Sequence, residues 1–473
     1  MRSRIETLEN RRLLSVSVAE AEPNNTSAMA DAIMRDLDHG IEINARINTV
    51  GDHDWFKLQL KKGDILGAAT TAGGTLNPKM QLANAAGVTL FADDDSNQTL
   101  SQVLPEESPL PRSRRNLDAE VYYVISAPGT YYLEVSASDS ARPSANVGRY
   151  ELDVRVARPA IESQPVGAHQ ILFLDFDGAI VDYSDFAESR LPKKATLSPM
   201  SSFLTGWGLT AADENAVIDG VVARMKELLS DDIRANGLNG DYASTGQPGN
   251  FDIEIRNSRD QQDTWGIDPL VSRVVIGGTA EEAGLVGKLA GFFGENETND
   301  IGNFKTNDQA VASLSWITDG IQFAGVGAVA PVTQVDLVAT GIAVLAAHEV
   351  GHIFGCGHTD QPADDFYGGL PNVMDRGVQA FIGPDLLLGT ADDRLPHLGV
   401  DGYNTSDEGI TGINDTLNTV AFGLSTGKGI SAESAHLSMP MTFSSKLIAE
   451  TRDPIRALSL IESSSDQTFL PFG

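Results

Sequence analysis

The sequence predicts two consecutive domains of different fold class, an all-β sandwich over residues 17–157 and an α+β domain over residues 169–473. Three observations carry this prediction. Short alternating apolar runs recur between turn signals in the first part. Strand patterns and amphipathic helix patterns are mixed in the second part. A long helical pattern there ends in a histidine-rich segment, residues 348–358. Residues 158–168 contain two prolines and predict a linker.

The composition excludes several partners. The 473-residue chain has 65 acidic and 34 basic residues, a formal net charge of −31. This balance disfavours binding to nucleic acid and to anionic membranes. No apolar run is long enough to span a bilayer. Cys356 is the one cysteine, which excludes an intrachain disulfide. We therefore expect no nucleic-acid partner and no membrane span, with many carboxylates available for calcium.

Residues 1–16 predict an N-terminal targeting segment. They carry several arginines but lack the apolar stretch of an ordinary signal peptide. The run Leu8–Ser15 resembles a leader motif, L-E-x-R-x-L-L-S, of bacterial surface and exported proteins. The alternative is a frayed basic tail. The resemblance implies a secreted or cell-surface protein.

The sandwich prediction rests on alternating runs such as 55–60 and 131–135, separated by turn signals such as Pro128-Gly129. The order of landmarks resembles the bacterial pre-peptidase C-terminal domain. The motifs that carry this resemblance are E-P-N-N at 22–25, G-D-x-D-W-F at 51–56, D-D-D at 93–95 and G-x-Y-Y at 129–132.

Related collagen-binding modules hold calcium through matching segments. Carried over, the resemblance implies calcium ligands at Glu22, Asn24, Asp52 and Asp54, whose hard oxygens suit that ion. The alternative is that these residues are turn formers and caps. The resemblance also implies binding of extracellular matrix or a cell-surface polymer through this domain.

The second domain opens with an apolar strand, residues 171–174, followed by D-x-D-G. This resembles the nucleophile strand of haloacid-dehalogenase-type phosphatases, but position 179 is Ala where that motif continues with Thr. We interpret Asp175 and Asp177 as turn residues. Further predictions are a capping box at 210–213 opening a helix that stops near Asn236, strands at 251–255, 272–278 and 310–316, and a loop at 284–308.

The segment from His348 to His358 reads H-E-x-x-H-x-x-G-x-x-H. On a helix, His348 and His352 point from the same face because they are four residues apart. Gly355 can adopt a positive φ, end the helix and bring His358 back as a third ligand. Three protein ligands that leave one position open are typical of a catalytic zinc ion, and Glu349 can act as general base. The alternative is a buried amphipathic helix with incidental histidines.

This motif, followed by Asn372-Val373-Met374-Asp375, resembles the metzincin zinc metallopeptidases and their Met-turn. The resemblance implies a twisted mixed sheet, a zinc helix and a small lower lobe, with Met374 beneath the histidines. It also implies that substrate pairs with an edge strand, for which residues 310–316 are the candidate. Some subfamilies carry a Tyr two residues after the Met, and here that residue is Arg376. Cys356 is interpreted as a small buried filler.

The sequence therefore predicts a secreted zinc endopeptidase that hydrolyses proteins or peptides with one catalytic Zn²⁺. The alternative is a cell-surface adhesion protein with a vestigial peptidase domain. The intact Glu349 argues against it, because an inactive enzyme need not keep its base.

Overall fold

A computed structural model describes residues 16–33, 37–49, 51–95, 103–138, 146–186, 191–239, 250–285, 294–360, 371–375 and 379–429. The predicted leader, apart from Val16, and Arg376 lie outside the described residues. Among the described helices, none is long and apolar enough to cross a membrane.

Two sheets form the N-terminal sandwich. The first contains, in spatial order, β1 (Val16–Ala19), β3 (Ile41–Ile47), β10 (Gly148–Ala157), β5 (Ile65–Ala72) and β8 (Glu120–Val124). The second begins with β2 (Asp31–Ala32), β4 (His53–Leu60), β9 (Gly129–Ala137), β6 (Pro78–Asn84) and β7 (Thr89–Asp93). The predicted runs at 55–60 and 131–135 lie in β4 and β9, which pair antiparallel.

The sandwich core follows from the alternation of these strands. Along β3 and β4, buried residues alternate with more exposed ones, because successive side chains point to opposite faces of a strand. The inward residues, among them Ile43, Phe56 and Leu133, form one apolar cluster between the two sheets. Burial of these side chains is the main stabilising term of a domain of this kind.

Two strands from the far end of the chain complete the second sheet. β20 (Val400–Gly402) pairs with β21 (Thr411–Asp415), and β21 pairs with β7. Val400, Ile410 and Ile413 join the sandwich core. The sequence did not predict this addition, because the segment is short and its partner lies more than 300 residues earlier in the chain. The sandwich and the second domain are therefore joined by backbone pairing as well as by residues 158–168.

The second domain is built on a mixed five-stranded sheet. Its spatial order is β14 (Ile253–Asn257), β11 (Gln170–Asp175), β15 (Val271–Ile276), β17 (Gln309–Ala312) and β16 (Gly294–Asn296). The strands are parallel except for β16, which runs antiparallel to β17. Two short pairs lie outside it, β12 (Ile180–Asp182) with β13 (Lys194–Thr196), and β18 (Gly327–Ala328) with β19 (Leu387–Leu388).

The structure corrects the predicted strand at 310–316. The strand β17 ends at Ala312, and Trp316 lies in the helix α3 (Ser315–Asp319). β17 is also an interior strand, and the edge is β16, within the segment predicted to be a loop. A three-residue strand containing Gly and Asn has no alternating apolar pattern, so no strand could be predicted there from the sequence.

Helix α1 (Glu214–Lys226) continues through a π-turn (Glu227–Asp231) into α2 (Asp232–Asn236). Further helices are α4 (Gln334–Ile353), α5 (Thr405–Glu408) and α6 (Thr416–Gly423). Of these helices, α1 and α4 pack against the sheet. The predicted capping box at 210–213 is a turn that precedes α1. In this turn the backbone N–H and the hydroxyl of Thr210 both donate to Asp213 Oδ2. The helix ends at Asn236, as predicted.

Helix α4 occupies the centre of the domain. It begins at the predicted capping box, with Thr333 and Asp336 each accepting a backbone N–H of the other. Such a cap contributes about 1 kcal/mol. From Leu337 to Ile353 nearly every side chain is buried. Gly220 of α1 lets that helix approach α4 closely, since a Cβ on Gly220 would lie 2.7 Å from the Cβ of Ala339 in α4. The helix is therefore held on several sides along most of its length.

A contact surface between the two domains lies beside the β7–β21 pairing. Ile65 and Tyr122 of the sandwich cluster with Ile301 and Phe422 of the second domain. Nearby, the buried Arg158 guanidinium pairs with Asp64 at 3.1 Å and with Glu162 at 2.9 Å. Hydrogen bonds and charge together keep the pKa of Glu162 below its ordinary value despite its burial.

Gly412 of β21 tests whether the shared sheet couples the domains. It has φ +125°, and a Cβ there would overlap the Leu90 carbonyl of the sandwich. Gly412→Ala should lower the free energy of unfolding by about 3 kcal/mol or more, through backbone strain plus this overlap. Gly87→Ala is the matched control, because Gly87 has φ +81° with open space around it, and about 1 kcal/mol is expected. Urea unfolding followed by fluorescence should show both domains shifting together in Gly412→Ala. Independent unfolding of the second domain at its wild-type midpoint would contradict the coupling.

Candidate metal centre

The three predicted histidines converge at the C-terminal end of α4. His348 and His352 are buried on its last turns, and His358 returns to them from the following loop. Their ring centroids lie 4.8–5.2 Å apart. One nitrogen from each ring lies within 4.8 Å of the others, so the three side chains could hold one metal ion.

The return of the chain depends on Gly355. It has φ +94°, a conformation that side-chain-bearing residues rarely adopt. A Cβ at this position would also overlap the backbone of Ile301, so the close packing and the turn both require glycine. The turn is closed by hydrogen bonds from Gly355 N to His352 O, and from Cys356 N to Gly351 O, each 2.9 Å.

Each histidine is oriented through its Nδ1 atom. Nδ1 of His348 lies 2.8 Å from Val373 O, and Nδ1 of His352 lies 2.7 Å from Cys356 O. A carbonyl oxygen only accepts, so both Nδ1 atoms must carry the proton. The lone pair of a neutral ring is then on Nε2. This is the tautomer that metal-binding histidines adopt when a carbonyl fixes their other nitrogen.

The third histidine is fixed by Glu408, a residue that the sequence analysis did not identify. Its Oε1 atom lies 2.9 Å from His358 Nδ1 and accepts the His358 backbone N–H at 2.6 Å. Glu408 is buried at the end of α5, between β20 and β21. No local pattern could have identified it, because T-S-D-E reads as an exposed helical turn. A carboxylate in this position increases the basicity of a ligating imidazole.

Burial keeps His348 and His352, the two histidines on α4, neutral. It lowers the pKa of His348 to about 3 and that of His352 well below its ordinary value, and the neighbouring imidazoles act in the same direction. The hydrogen bonds to backbone carbonyls oppose this shift but do not reverse it. Neutral imidazoles bind metals, whereas imidazolium cannot. The donor set therefore fits a zinc ion, which prefers nitrogen ligands in a tetrahedral arrangement.

Glu349 is buried next to the edge strand. A Cβ on Gly294 of β16 would overlap the Glu349 carboxyl group, so this glycine allows the strand to pass directly over it. Burial raises the pKa of Glu349 well above its ordinary value, and the Glu295 carboxylate raises it further. Glu349 directly follows His348 in the chain and is the candidate general base of the site.

Met374 packs beneath the helix that carries His348 and His352. It is fully buried against α4, and a Cβ on Gly351 would overlap its Sδ atom. The turn that carries it is fixed by Asn372, whose Oδ1 accepts Met374 N at 3.0 Å, and by Asp375, which accepts the Thr359 hydroxyl at 2.6 Å. Because Val373 of the same turn binds His348, the turn supports the histidines directly.

Cys356 is buried in the loop between the histidines, as the filler interpretation predicted. Its thiol lies 3.6 Å from the Thr416 carbonyl, and burial raises its pKa. A thiol in this environment stays protonated and unreactive.

The structure gives Asp175, considered above as a phosphatase nucleophile, a structural partner. Asp175 pairs with Arg273 at 3.6 Å, and its Oδ1 accepts Asp177 N at 3.1 Å. Arg273 also stacks on Trp265. Asp175 is the last residue of β11, so these contacts give it a structural role at the end of the strand.

Three of the four nominated calcium ligands come together in the sandwich. One carboxylate oxygen from each of Glu22, Asp52 and Asp54 lies within 4.8 Å of the others. The Asn24 side chain is buried, and neither of its polar atoms is hydrogen-bonded. The backbone carbonyl of Asn24 accepts a hydrogen bond from Trp55 N, next to Asp54. Glu20, which the sequence analysis did not nominate, also interacts with Asp54. This oxygen-rich cluster fits a calcium ion.

Comparisons with known proteins do not assign the chain to a family. No protein-family model matches the sequence, and no curated protein matches it. Among solved structures, similarities include the pre-peptidase C-terminal domain of a Bacillus anthracis collagenase (13% identity, 30% of this chain, 95% of that chain, TM-score 0.17). Another is a Salmonella Typhimurium periplasmic inhibitor of g-type lysozyme (15% identity, 27% and 99% covered, TM-score 0.18). A third is a surface-associated copper-binding protein of Methylomicrobium album BG8 (11% identity, 30% and 98% covered, TM-score 0.18).

Replacing Glu408 tests its role as the positioning residue of His358. Glu408→Gln keeps the shape but removes the charge, and should weaken zinc affinity by about 10–100-fold while leaving the fold intact. Competition with a chromogenic chelator measures this affinity, with the exposed Glu106→Gln as control. An unchanged zinc affinity in Glu408→Gln would contradict the role.

Without a bound cation, stability should depend on pH through the Glu20–Asp54 pair. Burial is the main cause that raises the pKa of Asp54 to about 8 and that of Glu20 to about 7. Without calcium, the folded state holds these protons more tightly than the unfolded chain does. Their contribution to the free energy of unfolding is therefore present below about pH 4 and is lost as pH rises to about 8.

Calcium should reverse this loss, so its stabilising effect should be larger at pH 8 than at pH 5. Thermal unfolding with calcium or with a chelator measures the effect, and Asp54→Asn should reduce its pH dependence. Equal stabilisation at both pH values in the wild-type protein would contradict a calcium site at this cluster.

Proposed function

We propose that the chain is an exported zinc-dependent endopeptidase of the metzincin type. The observation that carries this proposal is the convergence of His348, His352 and His358, each oriented through Nδ1, beside the buried Glu349. A structural zinc site usually has four protein ligands, whereas three histidines leave a position for water or substrate. The arrangement therefore supports catalysis better than a purely structural role.

The chemistry divides between the metal and the protein. A zinc ion held by the three Nε2 atoms would supply a Lewis acid and lower the pKa of water in its open position. Glu349 accepts the proton as the water oxygen bonds to the scissile carbonyl carbon. It then delivers that proton to the leaving nitrogen as the C–N bond breaks. The raised pKa of Glu349 suits this second step.

Strand β16 is the proposed docking edge for substrate, in place of residues 310–316. Among the described strands, β16 pairs with β17 and with no other. A peptide that adds to its other side would be held extended by backbone hydrogen bonds. Because Gly294 lies over the Glu349 carboxyl group, a peptide on this edge would pass next to the general base.

The sandwich is proposed to bind calcium and to contact an extracellular or cell-surface polymer. The carboxylate cluster of Glu22, Asp52 and Asp54 and the motif resemblance described above support this proposal. The leader-like segment supports export to the cell surface or medium. Proteins or peptides are accordingly the proposed substrates.

Two substitutions separate metal binding from catalysis. Glu349→Gln should bind zinc at the wild-type stoichiometry and lose activity by about 10²-fold or more, because it cannot accept a proton. His352→Ala should lose both zinc and activity. Zinc content by atomic spectroscopy and hydrolysis of casein or a peptide library measure the two properties, with the exposed Glu281→Gln as control. Wild-type cleavage by Glu349→Gln would refute the mechanism.

A further inference from the structure

The loop from β16 to β17 contains a second, deeply buried group of carboxylates. Asp300 and Asp308 are fully buried, and Glu297 is 4% exposed. None of the three belongs to the histidine site or to the sandwich cluster.

Among the described residues, few groups balance this negative charge. Lys305 forms an ion pair with Glu297, and its ammonium lies 3.8 Å from Asp308 Oδ1. Asp300 Oδ2 accepts Lys305 N at 2.7 Å, but Asp300 Oδ1 has no hydrogen-bond partner within the described part of the chain. Neither carboxylate oxygen of Asp308 accepts a hydrogen bond there. In this part of the chain, the Lys305 ammonium is therefore the cation that pairs with these buried carboxylates.

Neighbouring segments add further negative charge. Burial raises the pKa of Asp308 well above its ordinary value, and Glu107, from the sandwich segment that contacts this loop, acts in the same direction. Asp185 raises the pKa of Glu297 in the same way. An uncompensated buried carboxylate is so costly that it must bind either a proton or a cation.

We propose that this loop binds a calcium ion through Asp300 and Asp308. Carboxylate oxygens from an irregular loop are the ligands that calcium accepts at variable geometry, whereas zinc prefers nitrogen and sulfur. Two other oxygens of the loop, Asn303 Oδ1 and Thr298 Oγ1, are also buried without a hydrogen bond. Water would complete a shell of six to eight oxygens.

The position of the loop links this ion to the metal centre. Asp300 N donates to His352 O at 3.3 Å, and Asn299 Nδ2 donates to Cys356 O at 3.2 Å. Ile301 lies against Gly355, where the chain turns toward His358. Bound calcium would therefore brace the histidine loop on one side and β16 on the other. The proposal does not depend on peptide hydrolysis.

Terbium luminescence provides a direct test, because Tb³⁺ replaces Ca²⁺ and is sensitised by nearby tryptophan. Trp265 Nε1 donates to Asn307 O at 3.0 Å, next to Asp308. Trp55 lies beside Asp54, so the measurement uses the Asp54→Asn background to remove sensitisation at the sandwich cluster. In this background the full-length, zinc-loaded protein should show tryptophan-sensitised Tb³⁺ emission that Ca²⁺ displaces.

Two further variants in the same background make the test specific. Trp265→Phe should lose the emission yet bind as much calcium by equilibrium dialysis. Asp308→Asn should lose the emission and one calcium ion per chain, and its melting temperature should no longer rise with calcium. Should Asp308→Asn fail to fold, the Trp265→Phe comparison still decides the question. The proposal is overturned if no Ca²⁺-displaceable emission appears, or if folded Asp308→Asn binds as much calcium as its parent. If Asp308 instead held a proton and no calcium, Asp308→Asn would replace one neutral side chain with another. Calcium binding and the calcium dependence of the melting temperature would then not change.

Discussion

The hydrogen bonds at the three Nδ1 atoms are the constraint on which the rest of the site depends. A buried imidazole is a metal ligand only when it is neutral and its lone pair points at the ion. Here Val373, Cys356 and Glu408 each fix one ring. These partners come from the Met374 turn, the histidine loop and the end of α5, so three separate parts of the chain must be placed correctly around α4.

This requirement gives the sandwich a structural role in the metal centre. Glu408 lies between β20 and β21, and β21 is hydrogen-bonded to β7 of the sandwich. On the same segment, Asn404 N donates to His358 O at 3.0 Å and Asn414 Nδ2 donates to Gly357 O at 2.7 Å. A domain that reads in sequence as a separate accessory module thus holds the segment that orients the third histidine.

Sequence reasoning succeeded where the information is local. The four-residue spacing of His348 and His352, the Thr333 cap and the positive φ of Gly355 are each encoded within a few residues, and the structure has all three. It failed where a residue acts through a distant partner. Glu408 is 50 residues from His358, β21 pairs with a strand more than 300 residues earlier, and β16 is too short to show a period. Glu20 was missed for a different reason, since it lies just before the motif that nominated its neighbours.

The central claim is that the three Nε2 atoms hold one zinc ion, and anomalous diffraction tests it most directly. Crystals of the full-length protein, purified without added metal, would be measured on both sides of the zinc absorption edge. We expect one strong difference peak about 2.0–2.1 Å from Nε2 of His348, His352 and His358, with a fourth position taken by a non-protein ligand. A zinc peak elsewhere, coordination through Nδ1, or a fourth protein ligand at this position would contradict the account.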